Sequence, residues 1–170
     1  LILILDEAYD FLTYENHLFS PMKIKKLRPN IICCKSFSKE FAMTGWRVGY
    51  SWSPPELAEK ILAVATHFSI SPPTPSIVAA IASLSDPRGE DAKNYFLQQF
   101  EKSREIICKR LDRLDKLFSY KKPDGAYYVF PRVLGFEELS ALDFAKHLVD
   151  QTRVITIPGS SMGPSGERHL

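Results

Sequence analysis

The sequence predicts an α/β fold, a mostly parallel sheet followed by a smaller α+β unit. Residues 1–5, LILIL, are apolar at every position, and IICC within residues 30–34 has the same character. A strand apolar on both sides is expected in a parallel sheet whose crossover helices cover each face. Beyond a proline-rich break at residues 71–76, SPPTPS, apolar residues recur at helical spacing over residues 90–118. The composition changes at that break, which sets a domain boundary with residues 1–75 before it and 76–170 after it.

Residues 6–29 are long enough for a crossover between parallel strands, with helical or irregular structure expected at residues 21–27. RVGYSW, residues 47–52, reads as a third short strand. Pro54 and Pro55 open a helix running to about Phe68, since proline is tolerated in a first turn. Residues 76–84 form a short apolar helix, and DPRG after them a turn. In the long helix that follows, Phe96, Phe100, Ile107, Leu111, Leu114 and Phe118 make one face and the charges the other. Strands are expected at residues 118–121 and 126–130, joined by KPDG. A helix at 142–150 and a strand at 154–157 follow, and IPGSSMGPSG is a loop.

The formal charge of +2, from 22 basic and 20 acidic residues, makes no case for nucleic acid or an anionic membrane. Lys23, Lys25, Lys26 and Arg28 read as the solvated surface of a connection. Three cysteines, two adjacent, suit neither a disulfide framework nor a metal site and indicate small buried thiols in a reducing compartment. No stretch reaches the ~18 apolar residues of a membrane helix, and no signal segment precedes the first strand. The chain has no initiator Met, starts inside a core-like strand and stops just after a glycine-rich turn. It is therefore expected to be a piece of a longer polypeptide.

The acids that end the first strand, Asp6 and Glu7, fit two chemistries. They could serve a magnesium ion in a nucleotide hydrolase, or Asp6 and Tyr9 could hold an organic cofactor. The GxxxxGK[ST] loop that the first needs does not occur in these residues, although it could lie upstream. SFSKEFAMTGWRVG, after the second strand, decides the matter. Ligands of open α/β sheets bind beyond the strand ends, where Lys39 falls. An amine taken partly out of water loses basicity and can attack a carbonyl to form a Schiff base. Ser36 and Arg47 suit a phosphate, the arginine through its bidentate fork. An aldehyde and a phosphate on one ligand describe pyridoxal 5′-phosphate, whose ring nitrogen needs a carboxylate such as Asp6. Tyr9 can donate to the ring's phenolic oxygen. Glu7 is expected to take no part in the chemistry.

Ser36, Phe37, Ser38, Lys39, Arg47, Val48 and Gly49 resemble the lysine-attachment signature of the class I/II aminotransferases, and AMTGWRVGY resembles the aspartate-aminotransferase-like branch. DEAY resembles the family's cofactor strand. PDGAYYVFP resembles the small-domain hairpin, and IPGSSMGPSGERHL the loop leading to the substrate-carboxylate arginine. That arginine is expected after Leu170, so Arg168 is not taken for it and is expected to be exposed. The resemblance implies part of the fold type I large domain, followed by a smaller, incomplete α+β domain. It further implies pyridoxal 5′-phosphate bound by Asp6, Tyr9, Ser36, Lys39 and Arg47, with Lys39 catalytic, and amino acid and 2-oxo acid substrates. A homodimeric, cytoplasmic parent is implied too, with the isolated fragment inactive. A lyase or synthase of the same fold, or the sensing domain of a transcription regulator, stays open. His17, His67, His147 and His169 are isolated and read as structural, and Ser160 and Ser161 lack triad partners.

Overall fold

The computed structural model describes residues 1–15 and 18–170, so His17 lies outside the described residues. The chain divides into two compact units, Leu1–Phe100 and Glu101–Leu170.

In the first unit, β1 (Leu3–Asp6) runs parallel to β2 (Ile31–Ser36), with Leu3 opposite Ile31 and Asp6 opposite Cys34. The connection between them contains two 3₁₀ segments, Pro21–Lys23 and Lys25–Asn30. The third strand, β3 (Gly49–Trp52), lies antiparallel on the other side of β2, with Ser36 opposite Gly49 and Lys35 opposite Tyr50. Leu12 and Ile31 are fully buried, each contributing about 1.5–3 kcal/mol of burial. Ile4, by contrast, is 66% exposed. The expected covering of β1 on both faces is therefore not supplied by the described residues.

Between β2 and β3 the chain makes one short helical turn, α1 (Phe37–Glu40), and a 3₁₀ turn, Thr44–Trp46. Phe37, Met43 and Val48 from this stretch bury themselves with Ala80. Two helices follow, α2 (Pro55–Phe68) and α3 (Thr74–Ser85), each with a proline in its first turn. The break at SPPTPS is thus only a short connection, and α3 joins the core of the first unit through Ala80.

DPRG is not a free-standing turn. Asp86 closes α3 and Pro87 opens α4 (Pro87–Leu111), with the Asp86 carboxylate accepting from the Arg88 backbone N–H at 2.9 Å. The helix also stops earlier than expected, giving way to a 3₁₀ turn at Asp112–Leu114, and Phe118 lies in a strand. The buried positions of α4 are Arg104, Cys108 and Leu111, whereas Ile107 is exposed. Leu111 is on the expected face, Cys108 takes the place of Ile107, and Arg104 can lie inside because its Nε donates to the Pro123 carbonyl at 2.7 Å.

In the second unit β4 (Phe118–Ser119) pairs with β5 (Arg132–Val133), not with residues 126–130. Ala126 adopts a left-handed φ of 56°, which interrupts an extended run and leaves the pairing to residues further on. The terminal residues run beside β5, through an Arg132–His169 bridge and a bond from Leu170 N–H to the Pro131 carbonyl at 3.1 Å. The last helix, α5 (Ala141–Thr152), is capped by the Ser140 hydroxyl, which accepts from Asp143 N–H. Phe144, Ala145 and Leu170 form the core of this unit, with Phe118 and Val133 packed on it. Residues 154–157, expected as a strand, pair with none of the described strands; Ile155 and Ile157 stay exposed. IPGSSMGPSG folds into two 3₁₀ turns, Gly159–Met162 and Pro164–Gly166, packed so closely that a Cβ on Gly166 would meet the Gly159 carbonyl oxygen at 2.0 Å.

Candidate functional site

The candidate residues are gathered by the ends of the three strands of the first sheet. Asp6 is the last residue of β1, and Ser36 the last of β2. Because β3 runs the other way, its first residue, Gly49, lies opposite Ser36, and Arg47 precedes it by two positions. The chain approaches so closely there that a Cβ on Gly49 would meet the Lys35 carbonyl oxygen at 2.6 Å. A glycine at that point lets β3 pair with β2 in this register.

Ser36 has two positions at once, strand end and N-cap. Its hydroxyl oxygen accepts from Ser38 N–H at 3.2 Å, which starts α1 and brings Lys39 onto it. The segment carrying Lys39 and Arg47 is held from below. Phe37 N–H donates to the Val48 carbonyl at 3.3 Å, and the Ser76 hydroxyl of α3 donates to the Trp46 carbonyl at 2.7 Å. Glu40, the neighbour of Lys39, is paired at 3.2 Å with Lys93 of α4, which also holds Glu90 at 2.8 Å. Arg47 has a left-handed backbone, φ 51° and ψ 48°, and donates from Nη1 to the Thr44 carbonyl at 2.9 Å. The Asp6 carboxylate accepts from Ala8 N–H at 3.2 Å, at the start of the turn that carries Tyr9.

Strand pleating sends neighbouring side chains to opposite faces. Asp6, opposite Cys34 in the register, shares its face with Cys34 and Ser36. Glu7 goes to the other face, with Cys33 and Lys35. There it is 8% exposed. Its carboxylate accepts from the Ser20 hydroxyl, from the Cys33 thiol at 3.3 Å, and pairs with the Lys35 ammonium at 3.0 Å. Lys35 also pairs with Asp10. Burial alone would raise the Glu7 carboxyl, but the bonds from Ser20, Lys35 and Cys33 outweigh it and hold it below the ordinary value. Burial pulls the Lys35 ammonium down, and Asp10 and Glu7 together lift it well above its usual range. The Cys33 thiol is pushed up to about 11 by burial and by the adjacent Glu7 carboxylate. A cavity of about 500 Å³ opens beside this network, lined also by Arg28, Tyr50 and Trp52. The sequence carried one signal for it, a lysine directly after the apolar IICC run.

Among the described residues no cluster of three metal-ligating side chains occurs and all three cysteines are free thiols. No helix there is long and apolar enough to cross a membrane.

Residues 1–168 match the family model "Aminotransferase class I and II". The chain belongs to that family. It is 30% identical over 171 residues to aromatic-amino-acid aminotransferase 2 of Thermococcus litoralis, covering 100% of this chain and 43% of that protein. To the aspartate aminotransferase of Pyrococcus horikoshii it is 32% identical over 165 residues, covering 97% of this chain and 41% of that one. Its structure superposes on the aromatic aminotransferase of P. horikoshii with a TM-score of 0.91 at 30% identity, over 99% of this chain and 45% of that one. On the alanine aminotransferase of Pyrococcus furiosus the TM-score is 0.86 at 30% identity, over 99% and 43%. The fold is thus that of part of a fold type I aminotransferase, and the chain spans less than half the length of these relatives.

Proposed function

We propose that the full-length protein is a pyridoxal 5′-phosphate-dependent aminotransferase, moving an amino group from an amino acid to a 2-oxo acid, with Lys39 as its catalytic residue. The observation that carries this is the convergence of Asp6, Ser36, Lys39 and Arg47 on one end of a β1–β2–β3 sheet, in a chain of this family. The donor set fits the cofactor group by group: an amine for an aldehyde, a guanidinium and a hydroxyl for a phosphate, a carboxylate for a ring N–H. When bound, the cofactor supplies an aldehyde that takes up amino groups and a ring that withdraws electrons.

Each residue then has one task. The Asp6 carboxylate accepts a hydrogen bond from the protonated ring nitrogen and keeps it charged. Tyr9 donates its hydroxyl to the ring's phenolic oxygen. Ser36 and Arg47 hold the phosphate, one through its hydroxyl and the other through its guanidinium. The Lys39 amine holds the aldehyde end before substrate arrives and afterwards moves the proton at the substrate's α-carbon. In this reading the cofactor residues all belong to the first unit, Leu1–Phe100. A cytoplasmic homodimer completes it, and the 170-residue chain alone is inactive because it spans under half of its relatives' length.

Borohydride reduction of the full-length protein with pyridoxal 5′-phosphate, followed by peptide mass mapping, tests the assignment. The cofactor mass is expected on the peptide containing Lys39 and is lost in Lys39→Ala. Labelling of another lysine, or none, overturns it. Measuring 2-oxo acid against ammonia release from a panel of amino acids separates transamination from elimination.

A further inference from the structure

The network around Glu7 lies on the opposite sheet face from Asp6 and has no task in the chemistry above, yet it ties together the two strand ends that carry that chemistry. Lys35 immediately precedes Ser36 on β2. Its ammonium reaches across to Glu7 and Asp10, which bracket Ala8 and Tyr9. Glu7 is further fixed to β2 through its backbone N–H on the Cys34 carbonyl at 2.9 Å and through the Cys33 thiol. The turn between the two carboxylates closes with Asp10 N–H on the Glu7 carbonyl at 3.4 Å and Leu12 N–H on the Tyr9 carbonyl at 3.0 Å. Leu12, fully buried, anchors its far end.

Without Lys35, two carboxylates near one another would repel, one of them only 8% exposed. The turn would open just beyond Asp6, between Glu7, held to β2 by its backbone, and Leu12. Hydrogen bonds within a four-residue turn do not resist such a displacement by themselves.

We propose that Lys35 is a positioning residue: its ammonium, seated between Glu7 and Asp10, clamps the turn that follows Asp6 and carries Tyr9 to the end of β2 and so sets those groups in register with Ser36 and Lys39. This rests on the cofactor reading given above. The clamp acts from behind the sheet and touches neither cofactor nor substrate.

The test compares full-length wild-type protein with Lys35→Met, Lys35→Arg and Asp10→Asn. Amide hydrogen exchange at Asp10 and Leu12 in cofactor-free protein reads the clamp itself, and titration with pyridoxal 5′-phosphate reads its consequence. Lys35→Met is expected to speed that exchange and to weaken cofactor affinity about tenfold or more, while Lys35→Arg stays within about threefold of wild type. A purely structural lysine would lower the melting temperature and leave the affinity of the folded protein unchanged. Should Lys35→Met fail to fold, Asp10→Asn, which keeps the Glu7–Lys35 pair, is expected to show both effects in smaller measure. Wild-type affinity in every folded variant overturns the proposal. Should wild-type protein take up no cofactor, the functional reading fails, and the exchange rates alone decide the clamp: faster exchange in Lys35→Met upholds it, unchanged exchange overturns it.

Discussion

Asp6 and Glu7 are neighbours with opposite fates, because a strand alternates its side chains. Asp6 leaves on the face of Ser36 and stays exposed, whereas Glu7 is buried against Cys33 and Lys35. The alternation was legible in the sequence, but which acid faced inward was not, since nothing local marks Lys35 and Ser20 as partners for one of them. The pairing also has a pH dependence. Glu7 is held below its ordinary value of 4.5, so its bonds stabilise the fold above that pH and are lost as the pH falls through the folded value. Lys35 is raised above its ordinary 10.5, so its share is complete below that pH and is lost only on further alkalinisation. The network is thus intact at neutral pH and fails first in acid. Glu7→Gln is expected to lower the unfolding free energy at pH 7 by about 1–2 kcal/mol, because Lys35 keeps Asp10 as a partner, and to flatten the acid limb. Urea melts at pH 7 and pH 4 check this, and equal losses at both would count against it.

At the scale of elements, the helices opened by proline and the parallel pair β1–β2 follow directly from residue type and spacing. The long helix was harder. Its periodicity was correct in kind, but the inner face includes Cys108 in place of Ile107 and Arg104, at a position that a charged residue seldom takes. The Pro123 carbonyl, distant in sequence, helps to make that position favourable. Arg104→Met keeps the stem and removes the donor; it is expected to cost about 1–3 kcal/mol by stranding that carbonyl. Denaturant melts measure it, and a variant as stable as wild type would show that water replaces the bond. The strand expected at residues 126–130 failed for a different reason. Its residue types favour extension, but Ala126 takes a left-handed φ of 56° that breaks the run. No composition-based rule marks an alanine for that conformation.

For the whole molecule, the family was legible because the stretches around Asp6, Lys39 and Arg47 carry its motifs, and the sheet sets the strand ends that bear them side by side. The burial of the sheet was not, since it depends on what covers the strands. Ile4, Leu62, Phe68, Ile70, Ile81 and Ile155 are all exposed in this chain, and relatives carry more than as much polypeptide again. Apolar surface of this kind favours association. The isolated 170-residue chain is expected to bind a hydrophobic dye and to sediment as an oligomer at micromolar concentration. A dye-silent monomer would contradict that.

The backbone of Arg47 carries a further consequence. A left-handed conformation costs a side-chain-bearing residue about 1–2 kcal/mol, and glycine avoids that penalty. Selection for thermal stability alone would therefore drive this position towards glycine or asparagine. Selection for the phosphate contact proposed for Arg47 would hold the arginine against that drift. Arg47 is thus a site where the two kinds of selection pull apart, and a library sorted separately for each would diverge there early.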